Sequence, residues 1–466
     1  MSNDNNKNII PPMKNFNISK QLIIDLLQKV KSNSSEDRRN GEQILSMINK
    51  DENLYKELLK IAVEENDNIT QDLRIQSLLV LKSLIKQEIN SNSKVKGLDY
   101  NLKNYNNLCD VYNYLKKEFL IYLSLGNYLK IIDNHIKDII LLLSDKFFPD
   151  NWNELNEFFI HFFEKKIGNF ISEKYLDISN YLMSLFYSIL KIFNKKKSYH
   201  KFLKFKDNYL NSYILYYKEI INFFNNNLNN FIDVNITSKY LQLLLINDKV
   251  LCLLIGISYN QSTFQKDQSL LLMIKLIIER TGNLINQIDK VSLNEIKEIL
   301  QHNLYKNLKL INFLQSTNPI LFCYELKLYI EILFYLISNC KKYQENTTKI
   351  VMFSLTKIMN TNTYRENFEI EKPLTENIIE NISHISDTPK KKRNGRIQRS
   401  PLNLFVSPTK YRNFEKEIRS CNELFNKCFT AQKIQDLLLI LIQKCPFIYE
   451  KENDDLEIEI FQIKCL

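Results

Sequence analysis

Glycine is so scarce in this chain that its scarcity restricts the possible folds more than any other feature. Only seven glycines and nine prolines occur among the 466 residues. Hairpin turns need residues that adopt positive φ, and nucleotide-binding loops need glycine. The sequence therefore favours helices that are joined by short polar turns. Hydrophobic residues make up 44% of the chain, which is enough for an extensive core.

Apolar residues recur at helical spacing from residue 18 onward, and the clearest stripe runs from Leu155 to Ile167. Such a period predicts amphipathic helices that each bury one face. Either Ser34 or Ser35 is the expected N-cap of the second helix. No alternating run with turn chemistry predicts a strand. The first predicted helix carries Ile18 to Val30, and the second carries Ile44, Leu45 and Ile48. The others cover about residues 53–64, 69–89, 106–123, 127–147, 152–167, 171–194, 206–224, 236–258, 267–287, 292–314, 319–340, 343–359, 413–429 and 431–445.

These helices form antiparallel pairs of about 40 residues, which is the period of HEAT and armadillo repeats. One pair cannot bury its own apolar face, so neighbouring pairs must stack into a solenoid. We therefore expect an all-α fold, namely an α–α superhelix. The predicted divisions are a disordered lead (1–16), a first set of repeats (17–165), further repeats (166–380), a basic flexible loop (381–412), a helical hairpin (413–448) and a tail (449–466).

Sequence motifs for catalysis and for nucleotide or metal binding do not occur. The chain contains no P-loop, G-x-G-x-x-G, H-E-x-x-H or G-x-S-x-G. Its eight cysteines show no C-x-x-C pairing, which argues against zinc and fits reduced thiols. Cys421 and Cys428 lie on one predicted helix face, and we interpret them as buried small residues. We therefore expect a binding protein and not an enzyme, with no cofactor and no metal.

Membrane and secretion signals are also not visible in the sequence. The residues from Met1 to Asn8 are polar and carry no apolar segment of the kind found in signal peptides. No apolar run approaches the ~18 residues that a membrane-spanning helix needs. We therefore expect no membrane insertion.

The lysine-rich composition admits two interpretations. A net charge of +10 indicates either acidic or nucleic-acid partners, or lysines on solvated helix faces. The lysines are scattered, which favours the second interpretation and makes a nucleic-acid partner the less expected one. The basic loop resembles a nuclear localisation signal, although a solvated loop is the simpler interpretation, and phosphorylation at its Ser-Pro sites would offset its charge. Its candidate residues are Lys390, Lys391, Lys392, Arg393, Ser400 and Ser407.

Three stretches near the N-terminus resemble the N-terminal domain of the importin-beta (karyopherin) family of nuclear transport receptors. The first lies on the second predicted helix, the second on the fourth, and the third at a helix–helix junction with the only tryptophan of the chain. Asn153 departs from the family pattern, which has a second proline there. The matching residues are Arg38, Arg39, Gly41, Glu42 and Leu45; Leu73, Arg74, Ser77, Lys82 and Ile85; and Phe148, Pro149, Trp152 and Leu155.

Two later stretches are similar to one branch of that family, importin eleven. They are Asn318 to Phe322 and a stretch that begins at Lys410-Tyr411 and ends near Gln443. The chain has roughly half the length usual for the family, so we expect it to correspond to the N-terminal half of such a receptor.

The resemblance implies a receptor that binds the GTP form of Ran through its N-terminal repeats. It also implies protein cargo, passage through phenylalanine-glycine nucleoporins, and location in nucleus, cytoplasm and nuclear pore. We expect the second helices of the first repeats to face Ran, and we expect a monomer. The candidate partner-binding residues are Arg74, Lys82, Lys130, Asp133 and Lys137.

Two alternatives remain open on the sequence alone. The first is a HEAT-type scaffold in a cytoplasmic or nuclear assembly, which would share the helical pairs without binding Ran. The second is a nucleic-acid binder that uses the basic loop. Arg74 and Lys82 lie two turns apart on one helix, and pairing between repeats is the favoured role for Arg74.

Overall fold

A computed structural model gives the fold of the chain. It describes residues 18–48, 51–64, 69–94, 102–126, 130–148, 151–164, 172–196, 199–227, 233–258, 268–317, 319–361, 364 and 415–444. Every regular element in these ranges is helical, which confirms the prediction of an all-α fold.

Sixteen main helices follow one another, and most begin and end within a few residues of the predicted bounds. They are α1 (Lys20–Lys31), α2 (Ser35–Ile48), α3 (Glu52–Val63), α4 (Gln71–Lys94), α5 (Leu102–Leu125), α6 (Lys130–Phe147), α7 (Asn153–Glu164), α8 (Glu173–Lys196), α9 (Tyr199–Asn227), α10 (Val234–Ser258), α11 (Gln268–Lys290), α12 (Asn294–Thr317), α13 (Leu326–Ser338), α14 (Glu345–Met359), α15 (Glu415–Cys428) and α16 (Ala431–Lys444).

The helix predicted at 319–340 is broken in the structure, so that prediction was wrong in detail. A short helix, Pro319–Phe322, and a 3-10 turn, Cys323–Glu325, precede α13. The turn buries Cys323 and leaves Tyr324 63% exposed. Since both segments are apolar, hydrophobic periodicity alone does not reveal the break.

Short polar caps begin several helices, as expected for a chain poor in glycine. The Ser34 hydroxyl accepts a hydrogen bond from the Asp37 N–H at 3.3 Å, so Ser34 caps α2. Asp51 caps α3 and Asp233 caps α10 in the same way. Gly126 follows the last residue of α5 and takes a φ of 66°, a left-handed conformation that favours glycine at the end of a helix.

The chain divides into two compact units, and the division passes through α9 and α10. The first unit comprises Met1–Glu219 and Gln242–Ser258, and the second comprises Ile220–Leu241 and Tyr259–Leu466.

In the first unit, α1, α3, α5 and α7 pack side by side in one layer, while α4, α6 and α8 pack side by side in a second. The two layers enclose the core, where Trp152, Phe159 and Phe186 are buried. Rings of Phe159 and Phe186 lie 4.9 Å apart, centroid to centroid. This stacking of helical pairs is the arrangement expected for repeats that cannot bury their apolar faces alone.

The second unit repeats the layered arrangement within itself. α11 and α13 form one layer, α12 and α14 form the other, and α15 and α16 pack on α13. Leu308, Leu333 and Val351 are fully buried between the layers. Within the described ranges, no helix is both long and apolar enough to cross a membrane.

Candidate functional site

A row of polar contacts joins consecutive second-layer helices of the first unit, and three of its members are lysines. Each contact links one helix to the next, from α4 to α6, from α6 to α8 and from α8 to α10. We call this row the lysine ladder. Its members are Lys82 with Asp138, Lys137 with Ser184, and Lys249 with Tyr187.

The first contact is an ion pair at the surface. Lys82 Nζ lies 2.6 Å from Asp138 Oδ2, and the two side chains are 33% and 49% exposed. A pair so accessible to water contributes about 0–1 kcal/mol to stability. Lys82 can therefore exchange Asp138 for an acidic group of a partner at little cost to the fold.

The second contact is more enclosed. Lys137 Nζ donates a hydrogen bond of 2.6 Å to the Ser184 hydroxyl. Burial lowers the pKa of the Lys137 ammonium, and the neighbouring carboxylate of Asp138 opposes that shift. Removing the positive charge at Lys137 would therefore relieve a desolvation penalty as well as break a contact between helices.

The third contact is aromatic and was not foreseen from the sequence. Lys249 Nζ lies 6.0 Å from the centroid of the Tyr187 ring, and Lys191 Nζ lies 5.5 Å from the same ring. Such cation–π contacts at exposed sites contribute about 0.5–1 kcal/mol. The sequence holds no local signal for them, since Tyr187 and Lys249 are 62 positions apart.

Asp133 occupies a structural position. It is only 4% exposed, and its carboxylate accepts a hydrogen bond from the Tyr122 hydroxyl of α5. Its backbone carbonyl accepts a second hydrogen bond, of 3.2 Å, from the Tyr181 hydroxyl of α8. Because its charge serves contacts between helices, Asp133 does not form part of the accessible surface on which a partner would bind.

The two remaining candidate residues lie on the same layer. Arg74 is partly exposed on α4, two turns before Lys82, and it takes part in a contact within the protein. Lys130 begins α6, and its side chain lies outside the described residues. The structure thus places α4, α6 and α8 side by side, and Lys82, Asp133 and Lys137 each make contacts between helices.

The small residues that carry the family resemblance sit where helices approach closely. A Cβ at Gly41 would lie 2.9 Å from Val30 Cγ2 and 3.2 Å from the Val30 nitrogen, on α1. Ser77 is fully buried, and its hydroxyl donates a hydrogen bond of 2.5 Å to the Leu58 carbonyl of α3. Both positions require a small side chain for packing of the first two helical pairs.

The other signature residues divide between core and surface. Trp152 and Leu155 are fully buried, while Leu45 is partly exposed. Arg38 and Glu42 are exposed on α2. Pro149 lies outside the described residues, as does the basic loop with Lys390, Lys391, Lys392, Arg393, Ser400 and Ser407.

Buried thiols and possible ligand clusters add no second site. Cys421 and Cys428 are buried, as predicted for small core residues. The described part of the chain brings together no cluster of three or more His, Cys, Asp or Glu side chains fit for a metal ion. No known family model and no curated protein matches this sequence. A functional proposal therefore rests on the residues and their geometry.

Proposed function

We propose that this chain is a nuclear transport receptor of the importin type that binds the GTP form of Ran on its N-terminal repeats. The observation that carries the proposal is the second layer of the first unit, where α4, α6 and α8 lie side by side with the lysine ladder on them. The resemblance of α2 and α4 to the importin-beta N-terminal domain adds independent support. Protein cargo, phenylalanine-glycine nucleoporins and movement between cytoplasm and nucleus belong to the same proposal.

The ladder has physical properties that suit such a receptor. Its contacts between helices are mostly solvated, so breaking these contacts costs little free energy. Each repeat in a stacked array contacts only its neighbours, which allows the curvature to change. Two ligands that favour different curvatures then compete through a coupling free energy, and Ran would release cargo in this way.

The direct test is a binding measurement with the full chain and purified Ran. Ran carries either a non-hydrolysable GTP analogue or GDP, and biolayer interferometry reports the affinity of each form. We expect binding of micromolar strength or tighter to the GTP-analogue form, and at least about tenfold weaker binding to the GDP form. Equal binding to both forms, or no binding to either, contradicts the proposal.

Matched charge reversals locate the surface. Arg74→Glu and Lys82→Glu change the second layer, whereas Lys117→Glu makes the same charge change at an exposed position of α5 in the first layer. We expect the first two to weaken binding of Ran and Lys117→Glu to leave it unchanged. Circular dichroism spectra that match the parent protein show that the variants are folded.

A scaffold without Ran binding is the second candidate, and one observation favours it. Lys82, Lys137 and Asp133 all take part in contacts between helices, as expected of residues that serve only the fold. If Ran fails to bind while Lys82→Glu lowers the free energy of unfolding, the scaffold becomes the preferred function.

A further inference from the structure

The second layer of the second unit presents a basic and aromatic surface that the Ran proposal does not use. It lies on α12 and α14, which pack against each other. Three hydrogen bonds fix their relative register: Gln301 to the Lys342 carbonyl at 3.3 Å, Lys357 to the Asn312 carbonyl at 3.3 Å, and Gln315 to Thr361 at 2.9 Å. The paired positions rise together along α12 and along the segment from Lys342, just before α14, to Thr361, just after it, so α12 and α14 run parallel.

This register brings the outward side chains of the two helices together. We call them the lysine–aromatic face, which consists of Tyr305, Lys306, Lys309, Lys349, Phe353 and Lys357. Lys309 and Phe353 are exposed, Phe353 at 43%, and the other four residues are partly exposed, so a partner can reach the face from solvent. Four lysines over roughly three turns of two helices form a concentrated positive surface.

The sequence around these outward side chains contains long stretches without Asp or Glu. None occurs between Glu298 and Glu325, and none between Glu345 and Glu366. Glu345 stands at the start of α14, where it pairs with Lys349 at 2.9 Å. Acids elsewhere in the chain pair with lysines at helical spacing, as Glu331 does with Lys327. The face therefore differs in charge from an ordinary solvated helix surface.

The lysines of the face are held against rings. Lys306 Nζ and Lys309 Nζ lie 5.5 Å and 4.5 Å from the centroid of Tyr305, and Lys357 Nζ lies 5.6 Å from that of Phe353. Cation–π contacts reduce the rotamer freedom of these long side chains before any ligand binds. A partner that pairs with them then loses less conformational entropy on binding.

We propose that the lysine–aromatic face docks an extended acidic segment of a partner protein. Carboxylates of the segment pair with Lys306, Lys309 and Lys357, while its apolar side chains pack on Phe353. Two packed helices present a surface about 20 Å across, which about six to eight extended residues can span. The inference does not depend on Ran binding, because the face lies on other helices.

An acidic peptide fits the face better than single-stranded nucleic acid does. Bases bind such surfaces mainly by stacking on open aromatic rings. At Tyr305 the ring already meets two ammonium groups, and at Phe353 it meets one. A carboxylate can approach those ammonium groups from outside without displacing them from the rings.

Fluorescence anisotropy tests the proposal with the full chain. The probe is a labelled peptide of about eight residues in which Glu alternates with Leu or Phe. We expect saturable binding that weakens as salt is added, because ion pairs at a surface are screened. The double substitution Lys306→Glu with Lys309→Glu should weaken binding at least about tenfold. Phe353→Ala should weaken it without any change in charge.

A matched control changes two lysines on the other layer of the same unit. Lys275 and Lys327 are exposed and pair with Glu279 and Glu331 at helical spacing. Lys275→Glu with Lys327→Glu produces the same net charge, and binding should change by less than about twofold. Lys309→Gln, a milder change, keeps the test available if the double reversal alters the circular dichroism spectrum.

Three outcomes overturn the proposal. The first is no saturable binding of the peptide. The second is an equal loss of affinity in the control pair, which reveals binding to net charge alone. The third is tighter binding of an oligouridylate of the same length that is lost in Lys306→Glu with Lys309→Glu, which assigns the face to nucleic acid. Failure of the Ran experiment leaves all three outcomes unaffected.

Discussion

A buried guanidinium shows how single residues hold the second unit together. Arg280 of α11 is only 2% exposed, and it donates a hydrogen bond to the side-chain oxygen of Asn307 on α12. The Asn307 amide nitrogen donates to the Ile277 carbonyl at 3.1 Å and to the Thr281 hydroxyl at 2.7 Å. One asparagine thus satisfies polar groups at three positions of α11.

Substitution of Asn307 is expected to lower the free energy of unfolding by more than the small size of its side chain suggests. Asn307→Ala removes the acceptor of a buried charged donor, and we expect it to lower the free energy of unfolding by about 2–3 kcal/mol. Replacing both partners, as Arg280→Met with Asn307→Leu, removes the charge together with its acceptor and should cost less than Asn307→Ala alone. Urea denaturation followed by circular dichroism measures both values. A double variant that loses as much stability as Asn307→Ala, or more, would contradict the pairing.

At the scale of helices, the approach of α1 and α2 depends on Gly41. Alanine is favoured over glycine in helices by about 1 kcal/mol, but a Cβ at Gly41 would meet the backbone and side chain of Val30. Overpacking of this kind costs about 1–3 kcal/mol, which offsets or exceeds that gain, so Gly41→Ala should destabilise the protein by up to about 2 kcal/mol. Thermal unfolding monitored by circular dichroism gives the direction directly.

Gly282 supplies the matched control on α11. A Cβ there would meet nothing within 4 Å, so Gly282→Ala should stabilise the protein by up to about 1 kcal/mol. If Gly41→Ala raises the melting temperature as Gly282→Ala does, the close approach of α1 and α2 is not a feature of the folded protein.

The helices could be predicted from sequence because their signals are local. The apolar stripe of α7 and the serine cap of α2 each lie within a few turns of the helix they define. The ladder could not be predicted in the same way. Lys82 and Asp138 meet across 56 positions, and only the stacking of α4 on α6 decides which acid each lysine finds.

Asp133 illustrates the same difference for burial. An acid among the first residues of a helix is usually solvated and is favoured by the helix dipole. Its burial here depends on Tyr122 and Tyr181, which approach from two other helices. Only the three-dimensional packing of α5, α6 and α8 therefore distinguishes this structural carboxylate from the exposed Asp138 on the same helix.

Across the whole molecule, buried tyrosines link stability to alkaline pH. Burial raises the pKa of the hydroxyl well above its usual value at positions spread over both units, and they remain protonated in the folded chain. In the unfolded chain they ionise near pH 10. They include Tyr55, Tyr209, Tyr213, Tyr329 and Tyr364.

The sign of the effect follows from proton counting. A group whose pKa is higher in the folded state contributes stability that is complete below its unfolded pKa and is lost as pH rises. Lys137 and Lys357 act in the opposite direction, because burial lowers their pKa and stability then rises with pH up to about 10.5. Two lysines oppose five tyrosines, so net stability falls above about pH 10.

The expected result is unfolding of the chain near pH 11. Five tyrosines that ionise only when unfolded remove up to about 7 kcal/mol per pH unit as pH rises above 10, which is comparable to the total stability of a typical folded domain. Loss of helical circular dichroism should therefore coincide with a late rise in tyrosinate absorbance. Tyr209→Phe removes one of these ionisable groups, so the pH dependence should become shallower while the fold is kept. Complete tyrosinate formation before any loss of helix would show that these hydroxyls are accessible in the folded protein. It would then rule out the packing of α9 against α7, in which the Tyr209 hydroxyl donates a 3.2 Å hydrogen bond to the Asn156 carbonyl.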